Sequence, residues 1–264
     1  MFQKTRIYPY LILGILSAIF FIVSGCLQSG TLTESPNDPE GNASAAFPHQ
    51  FSILNGTESE SKSYSEESLV FIYDVQLSKV QKIEKWTKPI KIKAEGNPSE
   101  EDLLMMNAII EEFNTVDGFP GMSLTESDEN VLIIYAAKED LPEIQRKHNQ
   151  DQIDKGICRR TSENGEIKQA IIVIESDIDQ DYKNSVVLHE MFHMIGFYGH
   201  SNDDESIINR KSIPVEGLSV IDTAAFRMLY DSDTSVGMDY TDLKSLYRSS
   251  AERQFRDSGT CPDL

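Results

Sequence analysis

The segment His189-Glu190-Met191-Phe192-His193 places two imidazoles four residues apart with a carboxylate beside the first, and His200 follows after Gly196 and Gly199. On a helix, four residues make about one turn, so both rings can reach a single ion from one face. Neutral imidazole is a natural ligand for zinc, and three protein ligands with a fourth position left open are the pattern of a catalytic site, not a structural one. His189, His193 and His200 are therefore the expected ligands. Glu190 points to the side of the pair, where it can hold and deprotonate a metal-activated water, so general base is its expected role.

This chemistry requires a helix, and the flanking residues supply one. Leu188, Met191, Phe192 and Ile195 recur at i, i+3, i+4, i+7 and form one apolar face, with Asn184 or Ser185 available as the cap. Gly196 stands where the helix must stop, because glycine accepts the conformation of a helix end at no steric cost. Upstream, Leu77, Val80 and Ile83 have helical spacing, and Ile90, Ile92 and Ala94 alternate like a strand. Ser99 is a candidate cap before an amphipathic helix with Leu103, Met106, Ile110 and Phe113 on one stripe. Val131–Ala137 and Ile167–Ile174 are apolar and β-branched, as buried strands are. Helix, strand, helix, strand, strand predicts an α+β fold with a mixed sheet.

With its helix and third histidine, this stretch resembles the metzincin metallopeptidases, particularly the matrixin branch, whose pattern is HExxHxxGxxH followed by a Met-turn and a closing helix. Leu218-Ser219-Val220-Ile221-Asp222 through Met228-Leu229-Tyr230 resembles that closing helix. Ser219 and Asp222 make a plausible capping pair, and Ile221, Ala225 and Met228 its buried stripe. Trp86, Pro89 and Leu229-Tyr230-Asp231 also resemble a family of secreted prokaryotic proteins related to the metzincins, which extends the likeness over about Leu69 to Tyr240. The resemblance implies a metzincin-like fold, one catalytic zinc and hydrolysis of peptide bonds.

Two departures bear on the ligand set. His200 comes four residues after Gly196, where the pattern has three, so Asp203 or Asp204 is the alternative third ligand. Ser206-Ile207-Ile208-Asn209 resembles the Met-turn with Ile208 in the methionine position, and an aliphatic side chain can fill the same apolar floor. The acidic run 202–205 reads as a solvated loop, with a calcium site as the alternative.

The chain is 264 residues long, with 24 Lys+Arg against 43 Asp+Glu and a formal net charge of −19. So acidic a surface, without a basic stripe, excludes nucleic acid as a partner. Residues 1–26 carry Lys4 and Arg6, an apolar run, and Val23-Ser24-Gly25-Cys26, the layout of a signal peptide. The ending resembles a prokaryotic lipobox, which implies lipidation of Cys26; an uncleaved anchor helix is the alternative. Both expectations place the remainder outside the cytoplasm, on the membrane surface. Residues 27–68 are polar, with Lys62 the only base, and read as a flexible tether, with 69–264 as the catalytic domain. In such a compartment Cys158 and Cys261 are candidates for a disulfide.

The expected function is thus an extracytoplasmic, lipid-anchored zinc metallopeptidase acting on peptide or protein substrates. Two rivals are an idle surface-binding or structural lipoprotein of the same fold, and a zinc hydrolase of a non-peptide substrate. Residue types and spacing do not specify the cleaved sequence or the oligomeric state.

Overall fold

The computed structural model describes residues 64–148, 155–211, 214–215 and 217–248. Residues 1–63, with Cys26, and 249–264, with Cys261, lie outside them, so the expected signal segment and most of the tether do too. No helix among the described residues is long and apolar enough to cross a membrane.

Five strands form one sheet in the order β2-β1-β3-β5-β4: β1 Ile90–Gly96, β2 Met122–Leu124, β3 Val131–Ala136, β4 Gly156–Glu163 and β5 Glu166–Glu175. All neighbours are parallel except β4 and β5, which pair antiparallel. The expectation of a mixed α+β sheet holds in this form. β3 and the second half of β5 carry near-continuous apolar runs because they are covered on both faces, whereas β1 alternates apolar and polar residues.

Helices α1 Glu66–Ile72, α3 Glu100–Phe113, α5 Gln180–Met194 and α6 Val220–Tyr230 contribute to the larger core, α4 Leu141–His148 contributes to a smaller one with Ile134, Ala136 and Val173, and the short α2 Ser78–Val80 buries no residue. Tyr73–Leu77 bridges α1 and α2 as a π-helical stretch. Residues 240–248 are helical and contribute Leu243 and Tyr247 to the larger core.

Local chemistry sets these boundaries. Ser99 and Asp102 form a reciprocal capping box at the start of α3, and Ser219 and Asp222 form another at the start of α6. The first helix begins at Glu66, so the expected tether boundary at Leu69 falls inside it: Ser65 caps the helix, and Ser68 and Leu69 are already buried. The cap of α5 is Asp179, not Asn184 or Ser185, because the Asp179 carboxylate accepts the N–H groups of Asp181 and Tyr182 and so starts the helix earlier.

Helix α5 lies against β4 and β5, with Leu188, Met191, Phe192, Met194 and Ile195 fully buried. Burying each such side chain contributes roughly 1.5–3 kcal/mol. This face fixes the rotation of the helix about its axis, and with it the direction in which His189, Glu190 and His193 project.

Candidate metal centre

The end of α5 is tied down carbonyl by carbonyl. Gly196 donates its N–H to the His193 carbonyl, Trp86 Nε1 donates to Met194 O at 2.9 Å, the Tyr230 hydroxyl to Ile195 O at 2.7 Å, and Gln76 Nε2 to Gly196 O at 2.8 Å. A helix end leaves carbonyls without partners, and here buried side chains from three other segments satisfy them. Gly196 has φ +144°, and a Cβ on it would lie 2.8 Å from Leu229 Cδ2 and 3.0 Å from the Glu84 carbonyl, so no other residue fits this turn.

Beyond Gly196 the chain is pressed against the π-helical stretch. Tyr198 and Gly199 both donate their N–H groups to the Val75 carbonyl, and Phe197 stacks on Phe192 with ring centroids 4.3 Å apart. A Cβ at 199 would come within 3.1 Å of Asp74 O and Val75 Cα. The glycine therefore permits the close approach that brings the next residue, His200, back toward the helix, and the extra residue relative to the matrixin pattern is absorbed there.

The three imidazoles meet. His193 Nε2 is 3.1 Å from His189 Nε2 and 3.4 Å from His200 Nε2, and one ligand atom from each residue lies within 4.8 Å of the others. Two of the rings have a fixed tautomer. His189 Nδ1 is 2.7 Å from the Ile207 carbonyl and His193 Nδ1 is 2.6 Å from the Phe197 carbonyl. A carbonyl only accepts, so each Nδ1 carries the proton and each Nε2 presents a lone pair. Two lone pairs 3.1 Å apart repel unless something positive stands between them.

A zinc ion fits that requirement. Ligands about 2.05 Å from a tetrahedral zinc are roughly 3.3 Å from one another, close to the spacings found. The charge state fits as well. Burial lowers the pKa of His189 to about 4, helped by the neighbouring His200, and holds His193 well below the usual histidine range; His200 is lowered by burial and by Arg210 and Lys79. All three rings are neutral near pH 7, as metal coordination requires.

The aspartates named as alternative ligands lie apart from this cluster. Asp203 accepts the N–H of Glu205, and Asp204 is paired with Lys211 at 2.6 Å. Nor do the acidic residues 203–205 assemble with another carboxylate into a metal-ligand group among the described residues.

Glu190 is buried at 6% exposure, and its side chain lies over the backbone of β4: a Cβ on Gly156 would be 2.9 Å from Glu190 Cγ and Oε1. Burial pushes its pKa up to about 8, opposed by the positive charge of Arg160. A carboxyl raised toward neutrality suits a group that takes and returns a proton.

Ile208 is fully buried in the turn after His200, and its carbonyl accepts the Ser201 N–H at 2.8 Å. Its neighbour Ile207 holds His189, and Asp222 holds Ile207: the Asp222 carboxylate accepts the Ile207 N–H at 2.8 Å and the Ser206 hydroxyl at 2.6 Å. Cys158 is a free thiol, which burial pushes up to about 12; its candidate partner Cys261 is outside the described residues.

Sequence reasoning missed Gly156, Arg160 and Tyr198. All reach the site through β4 or through the loop after α5. The Asn164-Gly165 dipeptide, whose φ angles are +55° and +82°, is a hairpin signal that could have revealed β4.

No curated protein matches this sequence. The family described as "Protein of unknown function (DUF2927)" matches residues 59–249, which include all of α1 to α6 and the three histidines. The chain belongs to that family.

Proposed function

We propose that this protein is a zinc-dependent metallopeptidase with a metzincin-like fold, held outside the cytoplasm by a lipid on Cys26. The observation that carries the reading is the convergence of the His189, His193 and His200 Nε2 atoms, with Glu190 on the same helical turn. The sheet with one antiparallel outer strand beside the histidine helix, and the capped closing helix α6, support the fold assignment. Bound there, zinc would supply Lewis acidity, lowering the pKa of a water and polarising a carbonyl.

Hydrolysis adds OH to the acyl carbon and H to the leaving nitrogen. Glu190 accepts the proton from water and returns one to the amine, a task that its buried position favours. The Ile207 and Phe197 carbonyls keep both helical imidazoles in the tautomer that directs Nε2 inward.

The test is hydrolysis of an unfolded protein and a peptide library by the wild type and by Glu190→Gln. Gln preserves volume and removes the proton acceptor, so the rate should fall by about 10²- to 10⁴-fold with folding and zinc content unchanged. A wild type that takes up zinc but cleaves neither substrate contradicts the reading and favours a binding protein. Cleavage of a non-peptide ester or amide alone favours the other hydrolase. For the anchor, Cys26→Ser should release the protein from membranes; unchanged fractionation of an uncleaved chain would make the segment a transmembrane anchor.

A further inference from the structure

Beside the three histidines and Glu190 stands a further charged side chain, Arg160. Strand β4 sets Gly156, Cys158 and Arg160 on the same face, opposite Ile174, Ile172 and Ala170 of β5, and this is the face that meets α5. Gly156 lies under Glu190, and Arg160 is four residues further along the same face. Its guanidinium Cζ is 3.6 Å from the centroid of the Tyr198 ring, in the loop that joins His193 to His200. The Tyr198 hydroxyl donates to Glu84, which also accepts from Ser162 at 2.7 Å, so the ring beneath the guanidinium is held in place.

Arg160 makes no ion pair among the described residues, in a chain with 43 acidic residues. Its Nη1 is buried without a hydrogen-bond partner. Its charge is felt at Glu190 and His193, which places it within electrostatic reach of the proposed reaction centre. A guanidinium cannot shed its proton to escape such a position, and its planar fork matches a carboxylate. Buried donors of this kind are ordinarily satisfied, so the acceptor is a group that the described residues do not provide.

We propose that Arg160 is a specificity-determining residue that pairs with a carboxylate of the substrate, making the site selective for peptides with an acidic group near the scissile bond. The inference rests on the peptidase reading of the same site. The carboxylate itself can be a peptide C-terminus or an Asp or Glu side chain, and stacking on Tyr198 sets the plane in which either would be received.

The test measures binding to the zinc-loaded full chain carrying Glu190→Gln, which separates binding from turnover, and to the same chain after chelation. Three acetylated peptide pools serve as probes: one with a free C-terminus and no acidic side chain, one amidated with Glu, and one amidated with Gln in place of Glu. At least one of the two acidic pools should bind about 10- to 100-fold more tightly than the neutral pool, with or without metal. Preference for the first pool identifies the terminal carboxylate, and preference for the second the side chain. Adding Arg160→Gln should abolish the difference, and Arg160→Lys should retain part of it. Equal binding of acidic and neutral pools by the parent chain overturns the inference without any Arg160 variant. So does a difference that survives in Arg160→Gln or vanishes on chelation, since zinc would then be the anion receptor. Acid selectivity in a protein that holds no zinc, or whose wild type cleaves none of the pools, would sink the peptidase reading and leave the Arg160 carboxylate site standing.

Discussion

Asp222 accepts the backbone N–H of Ile207 at 2.8 Å, and through that one residue it governs His189, whose Nδ1–H is received by the Ile207 carbonyl at 2.7 Å. The capping box of α6 thereby also orients a ring on α5. The same carboxylate takes the Ser206 hydroxyl and the Ser219 N–H, so its oxygens are fully committed.

Asp222→Asn should therefore weaken metal binding without touching a ligand. An amide turns a donor toward donors, at a cost of about 1–3 kcal/mol in stability, and frees the carbonyl that fixes His189. Loss of such an outer partner typically costs about 10- to 100-fold in metal affinity. A titration against a competing chelator reads this directly; unchanged affinity in a folded variant would show that Ile207 needs no support from Asp222.

Gly156→Ala should separate the base from the ligands. The new Cβ would sit 2.6 Å from Val186 Cγ1 and 2.9 Å from Glu190 Oε1, so Glu190 must move while the histidines need not. Zinc content should be kept and hydrolysis should fall by roughly 10- to 100-fold, as expected for a displaced catalytic group. Gly196→Ala makes the contrast, because strain at φ +144° and the clash with Leu229 act on the whole helix end. Metal uptake and thermal stability should decline together in that variant, and a metal-replete Gly196→Ala protein would contradict the account of the turn.

Trp86→Phe and Tyr230→Phe should each destabilise the fold by about 1–3 kcal/mol, because each strands a buried carbonyl of the last turn of α5. Their effects should not add. Tyr230 also accepts the backbone N–H of Trp86 at 3.3 Å, so the two capping residues share one network. Urea midpoints of the two single variants and the double variant measure the coupling, and strict additivity would mean that the caps act independently.

Much of this arrangement is legible in the sequence because it depends on local spacing. The His189–His193 separation, the apolar stripe of α5, the Ser99 and Ser219 caps and the apolar runs of β3 and β5 each follow from residues within one or two turns of one another. What stayed hidden depends on pairing across the chain. Strand β4 reads as polar, with Arg159, Arg160, Thr161 and Ser162, because it is an outer strand with one neighbour, and β2 is only three residues long. Gly156 and Arg160 acquire meaning only when β4 pairs with β5 and lies under α5. Asp179 is not legible as a cap because the apolar stripe, which begins at Leu188, starts about two and a half turns after it, whereas the helix starts where its first N–H groups find an acceptor.

Zinc held jointly by His189, His193 and His200, as proposed, is read out by metal stoichiometry of the purified full chain beside His200→Ala, Asp203→Ala and Asp204→Ala. One zinc per chain is expected in the wild type and in both aspartate variants, with loss in His200→Ala and a fall in thermal stability of the wild type on chelation. Full zinc retention in His200→Ala together with loss in either aspartate variant, or a wild type that takes up no zinc at all, would contradict it.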